Sequence, residues 1–229
     1  MNDRSGQASA TASAGPFPVV LAGPSGSGKT TIARELLTRR EDLRFSISVT
    51  SRPPRETEVD GVDYRFISRS DFERLIAEDG LLEWAEVHGE LYGTPRSGLD
   101  EARRDGAHLL LDIDVQGARS VRRLDPMAVT IFLLPPTARH ILARLEGRGT
   151  EDPAALQRRL RTAEAELAGV GEFDYAVVND DLGQCVEAIE GIIDAESLRV
   201  DRSRVATESE AERMSEEIRR VLSDEDPKA

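Results

Sequence analysis

The chain has 229 residues, of which 39% are hydrophobic and 32% are charged. This length allows one α/β domain with an inserted subdomain, or two small domains at most, and the composition excludes a wholly disordered chain. The net charge of -13 argues against nucleic-acid binding, because contacts with a phosphate backbone need a basic face. A small anionic ligand stays compatible with this charge, since a few well-placed cations can hold it.

Cysteine content and hydropathy predict a cytoplasmic protein. Cys185 is the sole cysteine, so no internal disulfide can form, and a reducing compartment fits. We expect this thiol to lie in the core side of a helix. No stretch approaches the ~20 apolar residues that span a bilayer, and the first residues lack the pattern of a secretory signal. We therefore expect no membrane partner.

Apolar runs and helical patterns alternate along the chain, which predicts a mostly parallel sheet covered by helices. Residues 1–15 are rich in Ser, Ala, Gly and Thr and are expected to form a disordered arm. The predicted strands are residues 16–22, 45–49, 62–67, 81–87, 107–113, 128–134 and 174–178. The predicted helices are a segment after residue 30, one opened by a capping box at residues 70–73, and residues 95–104, 137–146, 153–168 and 182–198.

Two regions depart from this alternation. The strands between residues 62 and 87 are denser and are bounded by turns, which predicts an inserted antiparallel patch. Residues 199–229 are charged, and an amphipathic helix is predicted over residues 208–222. The main domain is therefore expected to span residues 16–198, followed by a charged C-terminal extension.

A phosphate-binding loop is predicted directly after the first strand. Residues 23–30, GPSGSGKT, match G-x-x-x-x-G-K-[ST] between a strand and a helix. Its backbone N–H groups would face phosphate, Lys29 would reach the β- and γ-phosphates, and Thr30 would ligate Mg²⁺. Lysine occurs only at positions 29 and 228, and arginine serves elsewhere. The alternative is a glycine-rich turn with an incidental lysine. The expected nucleotide-binding residues are Gly23, Pro24, Ser25, Gly26, Ser27, Gly28, Lys29, Thr30 and Thr31.

A second, metal-facing strand is predicted at residues 107–113. Its apolar run ends in LLLDID, which places Asp112 and Asp114 at the carboxyl end of the sheet. Asp112 is the expected metal ligand beside Thr30. The alternative is that these aspartates only mark a turn.

The segment SRPPR carries candidate ligands for a phosphorylated acceptor. A phosphate monoester has a second pKa of about 6, so it is already ionised and needs no general base. Arg52 and Arg55 are separated by two prolines that stiffen the loop, so both could make bidentate contacts with phosphate. Tyr64 and Tyr92 offer phenol donors. The alternatives are surface arginines and tyrosines that only pack.

Several segments in order resemble the guanylate kinase family. They are GPSGSGKTT, SISVTSRPPRETEVDGVDYRF, LLEWAEVHGELYGT, LLLDIDVQGARSV, RLEGRGTED with QRRL, and VVNDDL, and together they span roughly residues 19–198. The resemblance implies a P-loop NTPase-type parallel sheet with helices on both faces. It also implies a small mixed or antiparallel insertion at about residues 45–100 that binds the nucleoside monophosphate, and a helical lid at about residues 144–165. The implied reaction is Mg²⁺-dependent phosphoryl transfer from ATP to GMP.

The resemblance also implies roles for individual residues. Those expected around the GMP phosphate and ribose are Ser48, Arg52, Arg55, Tyr64 and Tyr92, and those around guanine are Glu83, Thr94 and Asp114. Those expected to act on the transferring phosphate are Lys29, Arg52, Arg55, Arg144, Arg148 and Arg159, and those beside adenine are Asn179 and Asp180. The family usually has Ser where this chain has Thr94, so the hydroxyl is kept.

The lid has a physical argument of its own. Arg144 and Arg148 lie four residues apart on one helical face, and Gly147 and Gly149 would permit hinge movement. Closure would exclude water from the donor. The alternative is a solvated, basic helix end.

Strand alternation in LLEWAEV puts Glu83 and Ala85 on the face opposite Leu82 and Trp84. This predicts a carboxylate in a pocket above an apolar layer, where it would accept from the N1–H and amino group of guanine. The alternative is a surface glutamate.

Two other functions compete with this interpretation. Guanylate-kinase-like domains of scaffold proteins bind peptides after losing parts of the nucleotide site, and the intact Gly28, Lys29 and Thr30 argue against that class. Another nucleotide or small-phosphate kinase would differ only in its acceptor. The sequence leaves a monomer and a homo-oligomer equally open.

Overall fold

A computed structural model describes residues 15–55, 58–87, 89–146, 153–202 and 204–224. The chain divides into two compact units, one from Pro16 to Gly191 and one that contains the residues from Ile192 onward. The functional sequence motifs all lie in the first unit.

A five-stranded sheet forms the centre of the first unit. Its strands are β1 (Pro18–Ala22), β2 (Leu43–Phe45), β7 (His108–Asp112), β8 (Val129–Leu134) and β9 (Tyr175–Val178). Their order across the sheet is β2-β7-β1-β8-β9, and every neighbouring pair is parallel. The predicted parallel α/β architecture is confirmed. In a parallel sheet all carboxyl ends meet at one edge, so the loops that follow β1, β7 and β9 are brought together.

Helices cover both faces of this sheet. The helices of the chain are α1 (Lys29–Arg39), α2 (Arg69–Ala77), α3 (Arg96–Arg104), α4 (Val115–Leu124), α5 (Ala138–Glu146), α6 (Pro153–Leu167), α7 (Leu182–Ser197) and α8 (Arg204–Asp224). Val20 and Leu109 belong to one apolar cluster with residues of α3 and α4. Val19 and Leu110, which alternation directs to the opposite face, are 0% exposed as well. Because both faces are buried, β1 and β7 are continuous apolar runs.

A smaller mixed sheet forms the insertion. Its strands are β3 (Val49–Thr50), β4 (Arg65–Phe66), β5 (Leu81–Val87) and β6 (Glu90–Pro95), in the order β4-β3-β6-β5. The β3–β4 pair is parallel, whereas β6 pairs antiparallel with both β3 and β5. Val49, Phe72, Leu81 and Leu91 form a separate small core beneath this sheet.

The structure corrects three of the predicted elements and adds two that were not predicted. The predicted strand at 45–49 is two strands, because the chain leaves the large sheet after Phe45 and joins the small one at Val49. Helix α2 is capped by Ser68, which accepts from the N–H of Asp71, and not by Ser70. Two elements, β6 and α4, went unpredicted. Strand β4 is shorter than the run at 62–67 indicated.

The two helices of the predicted lid pack against each other. Ile141 of α5 and Ala163 of α6 are buried together, with Leu156, Leu160 and Leu167 of α6 packed around them. The glycine-rich stretch at 147–152, which includes Arg148 and the predicted turn, lies outside the described residues.

The second unit contains the end of α7 and the long helix α8, which begins earlier and ends later than the predicted 208–222. Glu196, 3% exposed, accepts from two guanidiniums that follow it in the chain. Its Oε2 lies 2.7 Å from Nη2 of Arg202, and its Oε1 lies 3.4 Å from Nη1 of Arg199. A buried carboxylate is tolerated here because these cations accompany it.

Cys185 is 1% exposed, and burial raises the pKa of its thiol to about 11. Over the described ranges, no helix combines the length and the apolarity needed to cross a membrane.

Truncation of the C-terminal extension tests the ion pairs of Glu196. A chain that ends after Arg202 should keep its stability and activity, because it retains both guanidiniums. A chain that ends after Leu198 leaves a buried carboxylate without them, which costs about 3–5 kcal/mol and should lower the melting temperature by about 6–20 °C. Thermal unfolding followed by circular dichroism compares the two. Equal melting temperatures would show that Arg199 and Arg202 do not stabilise the fold.

Candidate active site

The phosphate-binding loop adopts a backbone that needs its glycines. It runs from the end of β1 to the start of α1, and Gly28 caps the helix at a φ of 97°. Gly23 has a φ of 140°, and a Cβ there would meet the carbonyl oxygen of Leu133 at 2.5 Å. Side chains would therefore strain the loop at both ends. This curl directs the N–H groups at the N-terminus of α1 into one space, which favours an anion.

Neighbouring elements hold the loop in this shape. The buried Asn179, which follows β9, donates from Nδ2 to the carbonyl of Ser27 at 2.7 Å. Arg144 of α5 donates from Nη1 to the carbonyl of Gly26 at 2.7 Å. Lys29 Nζ donates to the carbonyls of Gly23 at 2.7 Å and Pro24 at 3.3 Å. The lysine is thus fixed over the loop.

The two expected metal ligands meet at the edge of the sheet. Thr30 Oγ1 donates to Asp112 Oδ2 at 2.6 Å, although 82 residues separate them in the chain. Asp112 ends β7, next to β1, so the pairing follows from strand order. Asp114 caps α4, and its Oδ1 accepts from the N–H of Gly117 at 2.7 Å.

One cavity of about 920 Å³ joins these groups to the insertion. It is lined by Ser25, Gly26, Gly28, Lys29, Thr30, Thr31, Ser48, Tyr64, Glu83, Ala85, Tyr92, Gly93, Asp112, Ile113, Asp114, Arg144, Glu166, Asn179 and Leu182. Its size suits a nucleotide-sized ligand. Most of the predicted site residues therefore face one space.

The remaining predicted residues lie elsewhere. The expected site residues that do not line this cavity are Gly23, Pro24, Ser27, Arg52, Arg55, Thr94, Arg159 and Asp180. Ser27 and Thr94 are 0% exposed and support the cavity from behind. Arg159 is half-buried on α6, and Asp180 is exposed next to Asn179.

Glu83 is the polar centre of the insertion side of the cavity. It pairs with Thr94 across β5 and β6, and its Oε1 accepts from the threonine hydroxyl at 2.6 Å. Its other carboxylate oxygen faces α4, where a Cβ at Gly117 would lie 3.2 Å from Oε2. Burial raises the pKa of Glu83, the Thr94 hydrogen bond lowers it, and the charge of Asp114 raises it, with a net increase.

The predicted layer behind Glu83 is half correct. Leu82 is 2% exposed and belongs to the main apolar cluster. Trp84 is 49% exposed, so it does not extend that layer. A register shift between Leu81 and Glu83 interrupts the alternation from which the layer was predicted.

Two arginines and two tyrosines cluster beside the cavity. Arg52 is fixed by Tyr92 and Glu58 and lies over the ring of Tyr64, with its Cζ 5.5 Å from the ring centroid. Tyr64 and Tyr92 meet edge to face at 6.1 Å. Burial raises the pKa of the Tyr64 phenol, which stays a donor at neutral pH. The side chain of Arg55 is 73% exposed.

Glu166 is a site residue that the sequence did not single out. It lines the cavity from α6, and the nearby backbone N–H of the loop residue Ser25 lowers its pKa. Its Oε2 is buried and has no hydrogen-bond partner among the described residues. Burial raises its pKa, the charge of Lys29 lowers it, and Asp114 raises it, with a net increase. A glutamate in an amphipathic helix gives no sequence signal of such a position.

Comparisons with known proteins point to one family. The family model described as guanylate kinase matches residues 16–196. The chain is 48% identical over 177 residues to a guanylate kinase of Corynebacterium jeikeium, covering 76% of this chain and 94% of that protein. It is 48% identical over 178 residues to one of Thermobifida fusca, covering 78% and 91%. The crystal structure of guanylate kinase from Anaplasma phagocytophilum matches with a TM-score of 0.67 and 33% identity, covering 82% of this chain and 90% of that chain.

The buried carboxylate of Glu83 predicts a pH-dependent cost to stability. Because its pKa in the folded protein is raised, stability from this residue is complete below the ordinary value and is lost as pH rises through the raised one. Glu83→Gln should therefore raise the melting temperature at pH 8, and the gain should shrink as the pH falls towards about 4.5. Glu86→Gln on the same strand, where the side chain is 53% exposed, is the control. A gain that is the same at both pH values would contradict the prediction.

Proposed function

We propose a role for each site residue in the reaction of this chain. The chain belongs to the guanylate kinase family and phosphorylates GMP to GDP with ATP. The observation that carries the proposal is the single cavity that joins the phosphate-binding loop, Asp112 and Glu83. The γ-phosphoryl group moves from ATP to a phosphate oxygen of GMP. Both reactants are anions, so the task of the protein is to align them and to balance their charge.

The donor side is the loop at the edge of the large sheet. Backbone N–H groups at the start of α1 bind the phosphates of ATP, and Lys29 balances the charge on the β- and γ-oxygens. The fixed position of Lys29 over the loop supports this role, because a preorganised cation needs no rearrangement during transfer.

The residues present fit a magnesium ion. Thr30 and Asp112 offer two oxygen atoms that lie 2.6 Å apart, and Mg²⁺ prefers oxygen ligands. Over the described ranges, no group of three or more His, Cys, Asp or Glu side chains could hold a metal. A cation held by one or two protein oxygens and by substrate phosphates matches this donor set. When bound, Mg²⁺ would supply positive charge that offsets the negative charge of the nucleotide phosphates.

The acceptor phosphate is assigned to Ser48, Arg52, Arg55, Tyr64 and Tyr92. The edge-to-face pair of Tyr64 and Tyr92 supports this assignment, since both phenols also line the cavity. The attacking oxygen of GMP is ionised at neutral pH, so none of these residues needs to act as a base.

The guanine base is assigned to Glu83, Thr94 and Asp114. Thr94 donates to one oxygen of Glu83, which leaves the other oxygen and the remaining lone pairs to accept from N1–H and the amino group of guanine. Adenine presents an acceptor at N1 and no amino group at C2, so it would bring no donor to the second carboxylate oxygen. An unpaired buried charge costs several kcal/mol, on the order that rejects a wrong ligand.

The lid and the adenine side complete the assignment. Arg144, Arg148 and Arg159 act on the transferring phosphate, and the contact of Arg144 with the loop carbonyl of Gly26 supports a role close to ATP. Asn179 and Asp180 lie beside adenine. The hydrogen bond from Asn179 to the loop supports this position.

The cellular setting follows from charge and cysteine content. We propose a reducing, cytoplasmic compartment, because the sole cysteine is buried and its pKa is raised to about 11. We also propose no nucleic-acid partner, since the net charge is -13. The catalytic domain is proposed to span residues 16–198, with the insertion at about 45–100 and the lid at about 144–165.

Lys29→Ala tests the donor side. The variant should fold but lose about 3 kcal/mol of transition-state stabilisation, a fall in turnover of more than about 100-fold. A coupled assay of ADP release measures it. Arg34→Ala, at an α1 side chain that is 73% exposed, is the control and should keep wild-type turnover. Retention of more than about a third of wild-type turnover by Lys29→Ala would refute this role.

Glu83→Ala tests base choice. Wild type should use GMP far better than AMP, and the variant should lose at least ~2 kcal/mol in kcat/KM for GMP while its KM for ATP stays unchanged. Glu86→Ala on the same strand is the matched control, and steady-state kinetics with both acceptors decide the result. Wild-type GMP efficiency in Glu83→Ala would remove Glu83 from the guanine site.

A further inference from the structure

The guanidinium of Arg52 is almost fully engaged by the protein itself. Its Nε donates to the hydroxyl of Tyr92 at 3.2 Å. Its Nη1 donates to the carbonyl of Pro53 at 2.7 Å and to Glu58 Oε2 at 2.9 Å, and its Nη2 donates to Glu58 Oε1 at 2.8 Å. An arginine has five N–H hydrogens. Four of them are thus directed at described residues, and one on Nη2 is left for a ligand.

Glu58 binds both terminal nitrogens, Nη1 and Nη2, of Arg52. Both of its oxygens accept from Arg52, and Oε2 also accepts from the backbone N–H of Arg55 at 2.8 Å. The side chains of Arg52 and Glu58 are only 15% and 13% exposed. The hydrogen bonds from Arg52 hold the pKa of Glu58 below its ordinary value. The carboxylate therefore stays charged and bound at neutral pH.

Aromatic rings fix the other sides of the same guanidinium. The Cζ of Arg52 lies 5.5 Å from the ring centroid of Tyr64 and 5.6 Å from that of Phe66. Contacts of this kind hold the plane of the guanidinium as well as its charge. Arg52 is thus oriented before any ligand arrives.

Arg55 stands in contrast to Arg52. Its side chain is 73% exposed, and Glu58 Oε1 lies 3.8 Å from its Nη1. That distance exceeds a hydrogen bond. Among the described residues, no carboxylate therefore holds the fork of Arg55 in the way that Glu58 holds the fork of Arg52.

We propose that Glu58 is a positioning residue for the acceptor phosphate, and that it gives Arg52 and Arg55 different tasks. Glu58 holds the fork of Arg52, so Arg52 offers the phosphate a single N–H from a fixed place. Arg55 supplies the bidentate contact. This inference rests on the assignment of both arginines to the GMP phosphate, and it differs from the expectation from SRPPR that both make bidentate contacts.

Substitution of Glu58 separates this role from a structural one. Glu58→Gln removes the charge that orients Arg52, so the KM for GMP should rise about tenfold or more, while kcat falls less than about threefold and the KM for ATP stays within about twofold. Glu58→Asp should restore part of the loss. Glu73→Gln is the control, because Glu73 pairs with Arg69 on the exposed side of α2 at 3.2 Å.

A double substitution tests whether Glu58 acts through Arg52. In an Arg52→Ala background, Glu58→Ala should add less than about twofold to the KM for GMP, because its target is already gone. Additive effects would overturn the proposal. An unchanged or lower KM for GMP in Glu58→Gln would also overturn it, since Glu58 would then be idle or compete with the phosphate.

The controls keep two failures apart. If wild type and Glu73→Gln do not phosphorylate GMP, the proposed function itself fails. If both are active and Glu58→Gln matches them, only the role of Glu58 fails. Where Glu58→Gln does not fold, as judged by its melting temperature, the comparison of Glu58→Asp with the double variant decides the same question.

Discussion

The active site depends on one constraint, which is that β1 lies between β7 and β8 in a fully parallel sheet. All carboxyl ends of such strands meet at one edge. Strand order therefore places the loop after β1 next to Asp112, which ends β7, and next to Asn179, which follows β9. Buried residues on both faces hold the strands in place, and Gly23 lets the loop pass close to the backbone of β8. The rigid sheet thus positions the phosphate-binding loop, and the other groups assemble around it.

Three carboxylates at the site differ in their surroundings and in the direction in which their pKa is shifted. Glu58 is surrounded by donors, and its pKa is lowered. Glu83 has one hydroxyl donor and faces α4, and its pKa is raised, so its ionised form gains when a ligand brings more donors. Glu166 lies beside the phosphate-binding loop, where a substrate anion is expected, and burial raises its pKa. An acidic protein can therefore bind anionic substrates, because local donors and not net charge set the field in each part of the cavity.

Apolar packing as well as polar contacts join the insertion to the large sheet, since Leu82 of β5 belongs to the main apolar cluster. Helix α4 contacts both β1 and β5, and its Gly117 leaves room for the Glu83 carboxylate. Asp114 caps this helix and follows closely after the end of β7. On the lid side, Arg144 of α5 and Glu166 of α6 each contact the loop. Because these polar contacts are few, contacts with substrate can replace them without disturbing the apolar core.

The sequence by itself determined the parallel α/β fold, the phosphate-binding loop and most residues that line the cavity. Apolar runs, a glycine pattern and the guanylate kinase resemblance are local signals, and they do not depend on distant partners. Only the tertiary structure decided that residues 45–49 change sheets, that Trp84 is exposed, and that Glu58 binds the fork of Arg52 at 2.8–2.9 Å while it lies 3.8 Å from Arg55. It also brought Glu166 to the loop. These features depend on strand register, on hydrogen-bond direction and on which helix face meets the sheet. All three are set by contacts between residues that are distant in the chain, so no local sequence pattern predicts them.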